Sequence, residues 1–197
     1  MPFISNGTTI LDNGAFSVSL GNQVLISEQT ASASASISFT SGIDSTYPIY
    51  KFEFINIHSS ATANLEFNGS TDSGSNYNVT KTTTFFRTYH GEDDSTGLSY
   101  ETDKDLAQST SFQRISHSQY TDNDSSSIGT LHLFNPSSTT FVKHFFSNCQ
   151  WMQNALSMNG YCAGYMNTTS AVDAVRFQMS SGNIDSGTIK LYGIKDS

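Results

Sequence analysis

An all-β fold, an antiparallel β-sandwich of the jelly-roll kind, is what this chain of 197 residues predicts. Three observations carry that expectation. Charged residues make up only 13% and hydrophobic ones 36%, yet aromatic residues reach 12%, a mixture that sheets with one buried and one solvated face produce and a disordered chain does not. Short apolar/polar alternations of period two recur along the length. Asn-Gly pairs and Gly/Ser clusters separate them at the spacing of a sandwich, and no βαβ alternation is visible.

In chain order, residues 1–27 read as an extended N-terminal arm ahead of a domain over 28–197. Asn6-Gly7 and Asp12-Asn13-Gly14 are turn signals, and the pieces between them are short. The arm's apolar residues Phe3, Ile4, Ile10, Leu11 and Phe16 are candidate contacts with a partner. Ile37 and Phe39 join them, because Ala31 to Phe39 alternates small residues with Ser and, if a strand and not a flexible linker, presents a narrow face that fits another sheet or a neighbouring subunit.

Ile49 to His58 is the strongest strand of the first half. Tyr50, Phe52 and Phe54 share one face, Ile55 and Ile57 the other, so the strand belongs centrally, between two packed layers or at a subunit contact. Ala63 to Phe67 follows after Ser59-Ser60 and is expected to pair with it as a hairpin. The Thr-rich run from Tyr77 to Tyr89 favours a strand through its β-branched residues. His90 to Leu106 reads as a surface insertion with a short helical turn, and Phe112 to Ile115 as a further strand. Gly129 to Phe134 ends at Asn135-Pro136, and Phe141 to Phe146 is the next strand. Asn148 to Asn159 lacks clean periodicity and reads as a loop or one helical turn. In residues 171–194, Val175, Phe177 and Met179 alternate with polar neighbours, as do Ile189 and Leu191. Gly182-Asn183 lies between them, which predicts a terminal hairpin.

Composition narrows the function classes. A net charge of −8 with only 9 Lys and Arg argues against a nucleic-acid partner. No apolar run approaches the ~18 residues of a membrane helix, and the N-terminus lacks the basic region of a signal peptide. Cys149 and Cys162 are read as free thiols, with an isolated bridge left open. The five histidines show no metal-ligand spacing, and His132 and His144 fall on neighbouring candidate strands. Asp122-Asn123-Asp124 begins like a calcium loop but lacks its later ligands. There is no nucleophile elbow and no phosphate-binding glycine loop. A hydrolase would need a carboxylate pair drawn from Glu92, Asp93, Asp94, Asp122 and Asp124. The expectation is therefore a non-enzymatic protein with no cofactor, metal or catalytic residue. Tyr47, Tyr77, Tyr89, Tyr100 and Tyr120 fall in or beside loops, where rings either stack on sugars or pack over their own strand ends.

Three stretches carry a resemblance. Thr168 to Ile194, the run Y-P-I-Y-K-F-E-F-I-N-I-H at 47–58 and G-T-L-H-L-F-N-P-S-S at 129–138 resemble small virion structural proteins of tailed bacteriophages, especially marine ones. The resemblance implies a capsid decoration, or cement, protein, made in the host cytoplasm and carried on the virion surface. Its implied partners are the major capsid protein and further copies of itself, in a homotrimer. The alternative it leaves open is a tail or fibre module that binds a receptor glycan.

Overall fold

The computed structural model describes residues 3–5, 7–12, 15–16 and 22–195, and every regular element among them is a strand. Strands β1 (Phe3–Ser5), β2 (Thr8–Asp12) and β3 (Ala15–Phe16) form a three-stranded antiparallel sheet of their own. The remaining strands are β4 (Gln23–Thr30), β5 (Ile37–Phe39), β6 (Ile49–Ser59), β7 (Leu65–Ser70), β8 (Lys81–Gly91) and β9 (Thr96–Tyr100). They continue with β10 (Gln113–Arg114), β11 (Ser127–Phe134), β12 (Lys143–Gln153), β13 (Leu156–Met166), β14 (Ala174–Met179) and β15 (Ile184–Ile194).

These strands make two antiparallel sheets, as a β-sandwich requires. The larger has eight strands in the order β4-β15-β6-β11-β12-β13-β8-β9, the smaller four in the order β10-β7-β14-β5. With the hairpins β8–β9 and β12–β13 set aside, the strands pair from the outside of the chain inward. β4 pairs with β15, β5 with β14, β6 with β11 and β7 with β10. The chain is thus a long two-stranded ribbon folded across itself. β6 lies between β15 and β11, a central place in the sheet, but among the described residues no second layer covers its outer face. Ile55 is exposed, and beyond Asn56, at a φ of 50°, Ile57 turns into the core with Tyr50 and Phe52.

The core lies where the two sheets face each other. From the larger sheet Tyr50, Phe52, Leu131, Phe145, Trp151 and Leu191 point inward, and from the smaller Phe39, Leu65, Phe67, Val175 and Phe177 meet them. The ring of Phe177 lies 5.1 Å from both Phe52 and Phe54, and Phe67 lies 5.0 Å from Phe145, all near edge-to-face. Such pairs add about 0.5–1.5 kcal/mol each beyond the area they bury.

Several local expectations are corrected by this topology. The stretch 171–194 is not a hairpin, since β14 lies in the smaller sheet and β15 in the larger. The proposed pairing of 49–58 with 63–67 fails in the same way. Both turns are corners at which the chain changes sheets, and they lie together: Ser60 N–H donates to Asn183 O at 3.1 Å and Ser180 N–H to Asn64 O at 2.9 Å. Alternation shows that each strand buries one face, but that face is satisfied equally well across the sandwich as beside a neighbour.

Asn148 to Asn159, expected as a loop or helical turn, is instead the paired ends of β12 and β13 joined by a tight turn at Asn154-Ala155, where Asn154 takes a φ of 55°. Residues 90–106 contain β9, with turns and no helix. Gln23 pairs with Ile194, so the sheet includes residues 23–27 that the turn signals place in the arm.

Gly187 holds a backbone conformation that other residues avoid. Its φ is +111°, and a Cβ would lie 2.5 Å from the carbonyl oxygen of Asn56. Gly187→Ala is expected to cost at least about 2 kcal/mol, through strain and the clash together. Urea denaturation would show this as a lower midpoint with an unchanged slope.

Candidate interaction surface

The outer face of the larger sheet departs most from what a solvated surface should be. On β12 the alternation sends Phe145, Ser147, Cys149 and Trp151 into the core, so His144, Phe146, Asn148 and Gln150 must face outward. The register then builds rows across the sheet. His132, Phe146, Ala163 and Thr84 are successive cross-strand neighbours on β11, β12, β13 and β8. One step along the strands, Asn148, Tyr161, Phe86 and Tyr100 form the next row.

Large rings therefore collect where water is expected. Phe146 is 44% exposed, Phe86 41% and Tyr161 40%, and Leu98 and Tyr100 on the edge strand β9 are more exposed still. The rings hold one another in place. Phe86 and Tyr161 stack at 5.0 Å with 14° between their planes, and His132 stacks on Phe146 at 4.7 Å. Ala163 leaves a gap between these two stacks. The resulting hollow, about 260 Å³, is walled by Phe86, Phe146 and Tyr161.

Charge is absent from this half of the face. The outward residues of β12, of β13 from Ser157 to Tyr165 and of β8 from Thr82 to Phe86 include no Asp, Glu, Lys or Arg. The charges lie on the strands at the far side, where Lys51 pairs with Glu53 at 2.6 Å and Lys190 with Glu28 at 3.0 Å. Burial, and secondarily the ammonium of Lys51, holds the His132 imidazole below its usual range, so it faces Phe146 as a neutral ring near pH 7.

The residues singled out in the sequence are placed as follows. Phe3, Leu11 and Phe16 occupy one cross-strand row of the small sheet, and Ile4 pairs with Thr9. Ile10 lies between them on β2. Ile4 is 54% exposed. Ile37 and Phe39 correct the expectation made for them. They are buried in the chain's own core, with Phe39 against Phe52 and Phe177, and offer no side-chain surface to a partner. A three-residue strand in the smaller sheet must bury its bulky residues, and only the small residues before it stay near the surface.

Among the five tyrosines, only Tyr100 is exposed. Tyr77 lies beneath the guanidinium of Arg176, 4.0 Å from the ring centre, and Tyr47 stands edge-on to Tyr50. Besides Tyr100 and the loop ring Phe141, the exposed rings are those of strand interiors, Phe86, Phe146 and Tyr161. Each belongs to an alternation whose other face was already apolar, so the doubly apolar runs F-F at 85–86 and 145–146 were the available signal.

Other constellations do not assemble. His132 and His144 face outward on neighbouring strands but stand opposite Phe146 and Tyr165, not each other. Among the described residues no group of three His, Cys, Asp or Glu could hold a metal ion. Glu92 lines a hollow beside the β12–β13 turn and Asp124 a different one with His58 and Asp185, so the carboxylates named for hydrolysis do not meet there. Cys149 and Cys162 are free and buried; burial pushes the Cys149 thiol up to about 12 and raises that of Cys162 further. Neither is a reactive thiol at neutral pH. Compared with protein-family models, curated proteins and solved structures, the chain matches none.

Proposed function

We propose that this chain is a non-enzymatic structural subunit of a phage particle, a decoration protein that associates with its own copies and binds the major capsid protein. The nested strand pairing supports the jelly-roll reading of the sandwich. The observation that carries the reading is the uncharged aromatic half of the larger sheet's outer face. A monomer seldom leaves such a field open, and fields of this kind mark protein contacts.

The same face favours a second copy as its occupant. With a net charge of −8, two copies repel each other over most of their surfaces. The aromatic half is where they can meet without opposing like charges. A homotrimer closes such contacts by symmetry. The location on a head, and the capsid partner, rest on the three stretches that resemble virion proteins.

Phe146→Glu and Phe86→Glu test the assembly. Each places a carboxylate at the centre of the field on a position that the fold leaves exposed. In analytical ultracentrifugation the wild-type chain is expected to sediment as an oligomer and both variants as folded monomers. A wild-type monomer at concentrations near those of assembly would refute the self-association. Fractionated particles test the location: the chain is expected on DNA-filled heads in many copies, and its confinement to tails would refute the decoration role. In that event a glycan array would address the tail-module alternative, with the hollow beside Phe86 and Tyr161 as the sugar-stacking surface.

A further inference from the structure

Lys81 and Asn68 form a buried pair whose chemistry none of the above uses. Lys81 opens β8 in the larger sheet and Asn68 lies in β7 of the smaller; both are fully buried. Lys81 Nζ donates to Asn68 Oδ1 at 2.6 Å and to the Val79 carbonyl at 2.8 Å. Asn68 Nδ2 donates to the carbonyls of Tyr77 and Thr110 at 2.8 and 2.9 Å. Those two acceptors fix the amide's orientation, with its oxygen toward the lysine. The same oxygen accepts the Gly69 backbone N–H at 2.8 Å.

A lysine in this setting is unusual. No carboxylate hydrogen-bonds to Lys81 or Asn68 among the described residues. Burial alone, with no compensating anion, pulls the amine down to about 7. A neutral amine is a nucleophile, and here it is hydrogen-bonded to the oxygen of a carboxamide in a site closed to solvent.

We propose that Lys81 and Asn68 form an intramolecular amide bond that ties the two sheets of the sandwich together. Rotation about the Cε–Nζ bond turns the amine lone pair onto Cγ of Asn68. A new Nζ–Cγ bond forms, and the negative charge on Oδ1 is held by the Gly69 N–H. One proton moves from Nζ to Nδ2, the Cγ–Nδ2 bond breaks, and ammonia leaves. One C–N bond forms and one breaks, and nothing is oxidised or reduced. With no carboxylate to relay the proton, the bond accumulates slowly after folding. It forms faster as the pH rises through the titration of the amine.

Mass spectrometry of the full-length chain tests this directly. Samples held at about pH 6 and about pH 8 bracket the amine's titration. The expected result is a loss of one ammonia that grows faster at the higher pH, and a branched peptide joining the segments of Asn68 and Lys81 after proteolysis. The Asn68-Gly69 pair offers a competing route, a succinimide that also loses ammonia but leaves linear peptides. Linear peptides only, after prolonged incubation, would overturn the proposal without reference to any variant. Asn68→Asp is expected to give the same branched peptide with loss of water. Lys81→Met is expected to give no branched peptide.

Discussion

Phe177→Ala is expected to remove about 3–5 kcal/mol of stability, the range for deleting a buried aromatic ring. The ring is fully buried and stands at the meeting point of both sheets. It contacts Phe52 and Phe54 at 5.1 Å and lies within 6.4 Å of Phe39 and 6.3 Å of Phe67. These neighbours belong to strands β5, β6 and β7, each held by its own ladder, so they cannot close over the space left behind. Domains of this size are stable by only about 5–15 kcal/mol, so the loss is a large share of the whole. Phe177→Leu fills most of the volume and is expected to cost roughly half as much or less. Urea denaturation of both variants gives the comparison, and equal losses would show that refilling the volume recovers nothing and that the ring's own contacts carry the effect.

A second large effect concerns pH. In chains whose Lys81 amine is free, stability is expected to rise between pH 7 and the onset of thiol ionisation in the unfolded state at 9.0. The Lys81 pKa is 10.5 in the unfolded chain and about 7 in the folded one. Between those values the unfolded chain binds a proton that the folded chain does not, so stability climbs as the pH rises. Below 7 both states are protonated and the penalty of burying the charge is complete. The full swing is on the order of a few kcal/mol. Lys143, fully buried and likewise lowered by burial, acts in the same sense, although three carbonyls at 2.6, 2.8 and 3.1 Å receive its ammonium.

Above 9.0 the two cysteines oppose the lysines. Their folded-state pKa values are raised, so the unfolded chain loses thiol protons first and stability falls. Lys81→Met removes most of the slope between 7 and 9.0 and stabilises the chain below 7, because Asn68 Oδ1 keeps the Gly69 N–H. Urea midpoints over that pH range provide the measurement. Identical slopes in wild type and variant would show that Lys81 does not titrate there. The branched peptide would decide whether amide formation is the reason.

The two buried lysines also show where reading residues along the chain stops. Lys81 and Lys143 begin strands and, by type, belong in water. Each is inward because its strand's parity is set by the bulky residues that follow, Phe85 for Lys81 and Phe145 for Lys143. That parity was present in the sequence. Some of their acceptors are local, Val79, Ser138 and Phe141, but Asn68 and Thr168 come from other strands and loops and were not.

What the amino-acid sequence determined by itself was the strand character and, for most strands, the buried face. Period two is a local property, and Tyr50, Phe52, Val175, Phe177, Ile189 and Leu191 are all inside, as their alternation requires. What only the tertiary structure decided was which sheet each strand joins. An inward face is satisfied by either sheet of a sandwich, so 171–194 reads as a hairpin and folds as a corner. The outer aromatic face followed from the same cause. Phe86, Phe146 and Tyr161 lie 15 to 75 residues apart in the chain, and only the order β12-β13-β8 brings them into one field.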